Sequence, residues 1–363
     1  MAVLCYAPMS ASVRSFDVIA CVVWLAACGS VQPGTGKDGG VDGSGDGSMP
    51  GTDAPPPTEF ASCVGLAATC GPDGNDTCCN SPSVPGATYY RSFDVSGDGM
   101  FSNMSFPATV SDFRLDKYEI TVGRFRAFVK AGMGTQAKPP LNKAGAHANI
   151  LGSGWDASWN TSLAADTMAL LAAVKCEPTT QTWTDAPGPN EDRPMTCLSW
   201  FEAMAFCAWD GGYLPTEAEW NYAAAGGSQQ RAFPWSAPPS SLTVDLTYAS
   251  FGGTDCLTDG MPGCATTDLI VVGSKSPGDG RWGQSDLGGN VAEWVLDWSG
   301  GYPSNCMDCA NLAPAGNRVH RGGNFLQAVN PLRTAARGNR LPSDHANFIG
   351  ARCARPTSPM MVR

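Results

Sequence analysis

Leu214-Pro215-Thr216-Glu217-Ala218-Glu219-Trp220 is the stretch that organises the reading of this chain. Thr216 stands where a helix cap belongs, Glu219 three residues on completes a capping box, and Gly226 ends the helix. The same logic occurs upstream. Ser199-Trp200-Phe201-Glu202 opens a helix with Ala203, Phe206 and Cys207 inward and Gly211 after it. Further back, Thr121 caps a helix with Val122, Phe125, Phe128 and Val129 on one face, ending near Gly132. Leu115-Asp116-Lys117-Tyr118-Glu119-Ile120 alternates before it and predicts a half-buried strand. Residues 227–350 read as short strands between Gly-rich turns with no long helix. Residues 135–190 read as loop, with Trp155, Trp159 and Trp183 as packing anchors. The expectation is an α+β fold, a few helices around an irregular sheet, with no domain boundary after about residue 80.

Composition agrees. The 363 residues include 43 Gly, 28 Pro, 15 Cys and 11 Trp, and only 15% are charged. That profile implies a fold poor in regular structure, held by aromatic packing and cross-links, and no fixed repeat period is visible. The net charge of -10, with no Lys/Arg block, argues against a nucleic-acid partner.

Residues 16–27 are an apolar run preceded by Arg14, too short for a membrane span of roughly twenty residues and suited to a secretory leader. The run ends in Leu25-Ala26-Ala27-Cys28-Gly29, which resembles a bacterial lipobox. The resemblance implies cleavage after residue 27 and lipid on Cys28, hence a membrane-anchored protein of the cell envelope, periplasmic or surface-exposed. Met9 is an alternative start to Met1. Residues 28–60 are rich in Gly, Asp, Ser and Pro and predict a disordered tether. Beyond it lie a Cys-rich lead-in at 61–112, the main domain at 113–357 and a tail at 358–363.

Removing Cys5, Cys21 and Cys28 from the 15 cysteines leaves an even dozen, which in an exported chain implies disulfides. Cys63, Cys70, Cys78 and Cys79 staple their own segment, with the pairing open. Cys256 with Cys264, Cys176 with Cys197, and Cys207 with Cys353 are the expected pairs elsewhere, and Cys306-Met307-Asp308-Cys309 reads as a short structural bridge. His147, His320 and His345 show no metal spacing.

Five segments together resemble the formylglycine-generating enzyme family, the sulfatase-modifying factors. They are Asp116-Lys117-Tyr118-Glu119-Ile120-Thr121, Leu214–Trp220, Gly289-Asn290-Val291-Ala292-Glu293-Trp294, Arg321-Gly322-Gly323-Asn324 and Ile349-Gly350-Ala351-Arg352-Cys353. They run in the family's order over roughly residues 113–357 and imply its compact variant of the C-type-lectin-like fold.

Family enzymes oxidise a sulfatase cysteine to formylglycine with oxygen and a copper ion held by two cysteines. Soft thiolates suit cuprous copper. The resemblance places that pair at about Gln327 and Leu332, and no cysteine lies between Cys309 and Cys353. Copper and formylglycine generation are therefore not expected, and no catalytic residue is assigned. The family serine of the RGGS segment is Asn324, and a family disulfide falls on Ala224 and Thr334. The remaining family bridge matches Cys207 with Cys353.

The resemblance also implies a structural calcium held by the side chains of Asp286 and Glu293 and the carbonyls of Gly289 and Val291, a donor set suited to a hard cation. Asn324, Gln327, Arg333 and Arg337 fall at the family's substrate groove. Arg333, Arg337, Arg340 and Arg352 also suit structural carboxylates such as Glu217 and Glu219. The favoured function is a non-catalytic module that binds a protein, peptide or small molecule in the envelope. The alternative is an oxygen-dependent oxidase using another metal such as nonheme iron, and a mainly structural envelope protein is the third reading. A bound redox metal separates the second from the others.

Overall fold

The computed structural model describes residues 60–252 and 255–357. The leader, Cys28, nearly all of the tether and the 358–363 tail lie outside the described residues. Phe60, the last residue assigned to the tether, is docked. Its amide donates to the Asp210 carbonyl at 3.0 Å, and the Arg355 guanidinium lies 3.9 Å from its ring.

Three small sheets carry the chain. β1 (Ser83–Val84) and β10 (Ala354–Pro356) flank β4 (Phe113–Leu115), both antiparallel to it. β3 (Pro107–Thr109) lies between β2 (Thr88–Tyr90) and β6 (Cys306–Met307). The third sheet has the order β8-β7-β5-β9, with β5 (Ala292–Trp298) between antiparallel β7 (Arg318–Arg321) and parallel β9 (Ile349–Gly350), and β8 (Gly338–Arg340) outside β7. Strands of the 61–112 segment thus pair within the same sheets as the rest, so the folded body begins well before residue 113.

The helices follow their caps. α1 (Val122–Lys130) starts at Thr121, whose side chain accepts from the Arg124 amide. α2 (Thr167–Ala173) is capped by Asp166 inside the region expected to be loop. α3 (Trp200–Trp209) and α4 (Glu217–Ala224) each carry a complete capping box, Ser199 with Glu202 and Thr216 with Glu219. Both are buried on nearly every face, because sheets and loops enclose them.

The expected strand at 115–120 is a correction: only Phe113–Leu115 is strand. Beyond it the backbone bonds to separate partners, Asp116 to Cys353, Lys117 to Asn80 and Ile120 to Ala351, and no single ladder forms. Asp116 is fully buried because Arg124 and Arg355 both bind its carboxylate.

Tryptophans fill the core as expected of a low-sheet fold. Trp155, Trp200, Trp220 and Trp294 are all within 1% of complete burial. Arg318 is sandwiched between Trp200 and Trp298, its guanidinium 3.6 and 3.7 Å from the two rings. Six disulfides join all twelve described cysteines: Cys63–Cys79, Cys70–Cys78, Cys176–Cys197, Cys207–Cys353, Cys256–Cys264 and Cys306–Cys309.

Candidate functional site

The turn after β7 and the loop leading to β8 enclose a groove of about 290 Å³. Phe101, His320, Gly323, Gln327, Pro331 and Arg337 are among its lining. Gly338 is required here: a Cβ on it would lie 2.1 Å from the His320 ring. The Cε1 edge of His320 therefore abuts β8 directly. Burial, with Arg340 and Arg321 nearby, pushes its imidazole down to about 4, so it is neutral at pH 7.

Of the four residues expected at the groove, Gln327 and Arg337 line it. Asn324 and Arg333 do not, and both are 2% exposed. Asn324 turns back on its own loop, with Nδ2 donating to Gln327 Oε1 at 3.1 Å and Oδ1 accepting from the Leu326 amide. Arg333 points the other way, to Asp94 and Asp98. Arg337 reaches the groove with its donors committed. Nε and NH2 bind the two oxygens of Glu217 at 2.7 Å each, and NH1 donates to the Gly300 carbonyl. Glu217 also takes Arg321, at 2.6 Å. Glu219 serves different groups, accepting from Tyr213 Oη and lying 3.3 Å from His147 Nε2. Arg340 pairs with Asp344 and Arg352 with Glu293, so all four arginines hold structural carboxylates, Glu217 among them and Glu219 not.

The position assigned to the second family cysteine, Leu332, faces away from solvent entirely. It packs in a cluster with Ala232, Phe233, Trp235 and Ala249. Gln327 holds the first position, half-buried. Neither is a thiolate, and every described cysteine is in a disulfide. The residues present do not fit a copper centre, which takes soft thiolate ligands. The three histidines are dispersed in role as well. His147 pairs with Glu219, His345 with Glu202, and His320 packs edge-on to Trp294. Among the described residues, one group of three His, Cys, Asp or Glu converges: Cys70, Cys78 and Asp192, in which the cysteines are bonded to each other.

The residues matched to the calcium site surround the start of β5. Asp286 and Glu293 are buried beside Glu119, a third carboxylate outside the expected ligand set. Glu119 accepts from Asn290 Nδ2 at 2.7 Å and the Val291 amide at 3.3 Å. Burial, then the charges of Asp286 and Glu293, push its carboxyl well above the usual range. Burial likewise pushes Asp286 up to about 6. One cation, Arg352, binds Glu293 through two prongs. Among the described residues the carbonyls of Gly289 and Val291 accept no hydrogen bond. Gly289 has φ 93°, and a Cβ there would sit 2.4 Å from the Ser250 carbonyl, so the turn requires glycine. Glu293 is already engaged on both oxygens by Arg352 and Trp220, and Asp286 accepts from the Gly273 amide, so the donors gathered here are carboxylates and backbone carbonyls, the types a hard cation takes.

This is a disulfide-rich α+β scaffold with a shallow groove beside a Gly-Gly turn. A family model for the sulfatase-modifying factor enzyme 1-like domain matches residues 80–357, and the chain belongs to that family. It is 28% identical over 305 residues to a formylglycine-generating enzyme of Thermomonospora curvata, covering 75% of this chain and 92% of that one. It is 26% identical over 303 residues to a bovine (Bos taurus) protein named inactive C-alpha-formylglycine-generating enzyme 2, covering 77% and 89%. Among solved structures, PvdO from Pseudomonas aeruginosa superposes with a TM-score of 0.51 at 20% identity, covering 76% of this chain and 93% of that chain.

Proposed function

We propose that this protein uses the sulfatase-modifying-factor scaffold as a non-catalytic binding module, displayed at the cell envelope by a lipid on Cys28. The observation that carries the reading is chemical. The two positions where the family resemblance puts copper-binding cysteines are a groove-wall glutamine, Gln327, and a core leucine, Leu332. The relative named inactive supplies a precedent within the family for the scaffold without the reaction. The finer architecture is read as the family's variant of the C-type-lectin-like fold, whose loops suit a variable groove. Among the described residues no helix is long and apolar enough to cross a membrane.

In this account calcium has a structural role, held by Asp286, Glu293 and the Gly289 and Val291 carbonyls. When bound it neutralises the acid cluster with Glu119 and braces the turn into β5. The groove then binds a protein, peptide or small molecule through Gln327, Phe101 and the Gly322-Gly323 backbone. The test is twofold. Incubation with copper, oxygen and a cysteine peptide from a sulfatase is expected to leave the thiol mass unchanged, and conversion to the aldehyde would overturn the reading. Capture from envelope extract is expected to weaken when Gln327→Trp fills the groove, and equal capture would place binding elsewhere.

A further inference from the structure

Between β2 and β3 the chain reads Asp94-Val95-Ser96-Gly97-Asp98-Gly99-Met100. This is the spacing of a calcium loop: oxygen side chains at the first, third and fifth positions and a turn glycine at the sixth. The backbone is wound accordingly. Gly99 has φ 83°, Asp94 Oδ1 accepts from the Ser96 amide at 3.0 Å, and Asp98 Oδ1 from the Met100 amide at 3.0 Å.

The outward oxygens converge on a side chain of the protein itself. Arg333 NH2 donates to Asp94 Oδ2 at 2.6 Å and Ser96 Oγ at 2.8 Å, while NH1 donates to Asp98 Oδ2 at 2.8 Å. Arg333 enters from the far segment, immediately after Leu332, and is almost wholly buried. The twelfth position, where a calcium loop carries its bidentate glutamate, is Ser105. Two carboxylates without that glutamate hold a divalent ion poorly, whereas a planar guanidinium matches the separated oxygens with a fixed fork of donors.

The grip has a consequence for the groove. The guanidinium lies 5.5 Å from the Phe101 ring, and the Phe101 carbonyl accepts from the Asp94 amide at 3.1 Å. Phe101 in turn lines the groove.

We propose that Arg333 is the resident cation of this loop, standing where a calcium-type turn would hold its metal, and that it thereby fixes Phe101 as a wall of the groove. Arg333 is a positioning residue in this account. The claim is independent of which ligand the groove takes, and its test needs none.

The experiment is hydrogen exchange on residues 93–102 of the full chain, in chelator and in about 10 mM calcium, a concentration above the weakest extracellular calcium modules. The wild-type segment is expected to be equally protected in both. Arg333→Gln is expected to exchange at least ~10-fold faster in chelator, as a locally opened segment does. Calcium is expected to slow it again by filling the vacated position, and adding Asp98→Asn is expected to abolish that rescue. Exchange in α3, away from both loops, reports that the rest of the fold is intact. If Arg333→Gln does not fold, Arg333→Lys serves, since one ammonium cannot span three separated oxygens. Wild-type loss of protection in chelator, unchanged protection in the Arg333 variant, or absence of calcium rescue would each overturn the proposal.

Discussion

Arg352 and Glu293 form a two-pronged ion pair with both side chains completely buried, Nε to Oε2 and NH2 to Oε1, each at 2.7 Å. The same guanidinium donates to the Lys117 and Ser285 carbonyls, and Trp220 Nε1 donates to Glu293 Oε2 at 2.8 Å. One pair therefore joins the end of the chain to β5, α4 and the segment before α1.

Removing one partner strands the other charge in the core. Arg352→Ala is expected to lower unfolding stability by about 3–5 kcal/mol, the range for breaking a buried pair. Denaturant titration measures it. A change below about 1 kcal/mol would show the pair to be dispensable.

His320 gives stability a pH dependence of defined sign. Its folded-state value, about 4, lies below the unfolded 6.5, so between these values the unfolded chain binds more protons. The contribution is fully present above pH 6.5 and is lost as pH falls toward 4, with an upper bound of about 3 kcal/mol. His320→Asn is expected to flatten this part of the stability profile relative to wild type. Identical profiles for the two proteins would contradict the burial of a neutral imidazole there.

Leu332 is a core residue where the family resemblance places a metal ligand. Leu332→Ala is expected to cost about 2–5 kcal/mol through the cavity left among Phe233, Trp235 and Ala249. Thermal and denaturant unfolding of the variant measure this. A loss confined to binding, with stability unchanged, would place the side chain in the groove instead.

The parts of this fold legible in the sequence are those fixed by local chemistry. The caps of α1, α3 and α4 are written in Thr121, Ser199-Glu202 and Thr216-Glu219, because a capping side chain satisfies amides within one turn of itself. Short disulfides such as Cys256–Cys264 are legible for the same reason of proximity. A strand at 115–120 is not what alternation alone can decide, because it does not reveal that Asp116 is held inside by Arg124 and Arg355, which arrive from positions 8 and 239 residues away. The groove suffers from the same blindness. Arg333 and Asn324 sit at the right sequence distance, yet Arg333 is drawn off by Asp94 and Asp98, 239 and 235 residues earlier. Phe101 and Glu119 enter their sites by tertiary packing, and neither carries a local signal beyond being an aromatic or an acid.

Elemental analysis of the protein exported through an oxidising compartment and purified without chelator tests the central claim most directly. About one calcium per chain is expected, bound beside Glu119, Asp286 and Glu293, with copper and iron near zero. About one copper or iron per chain would contradict it and return the groove to redox chemistry.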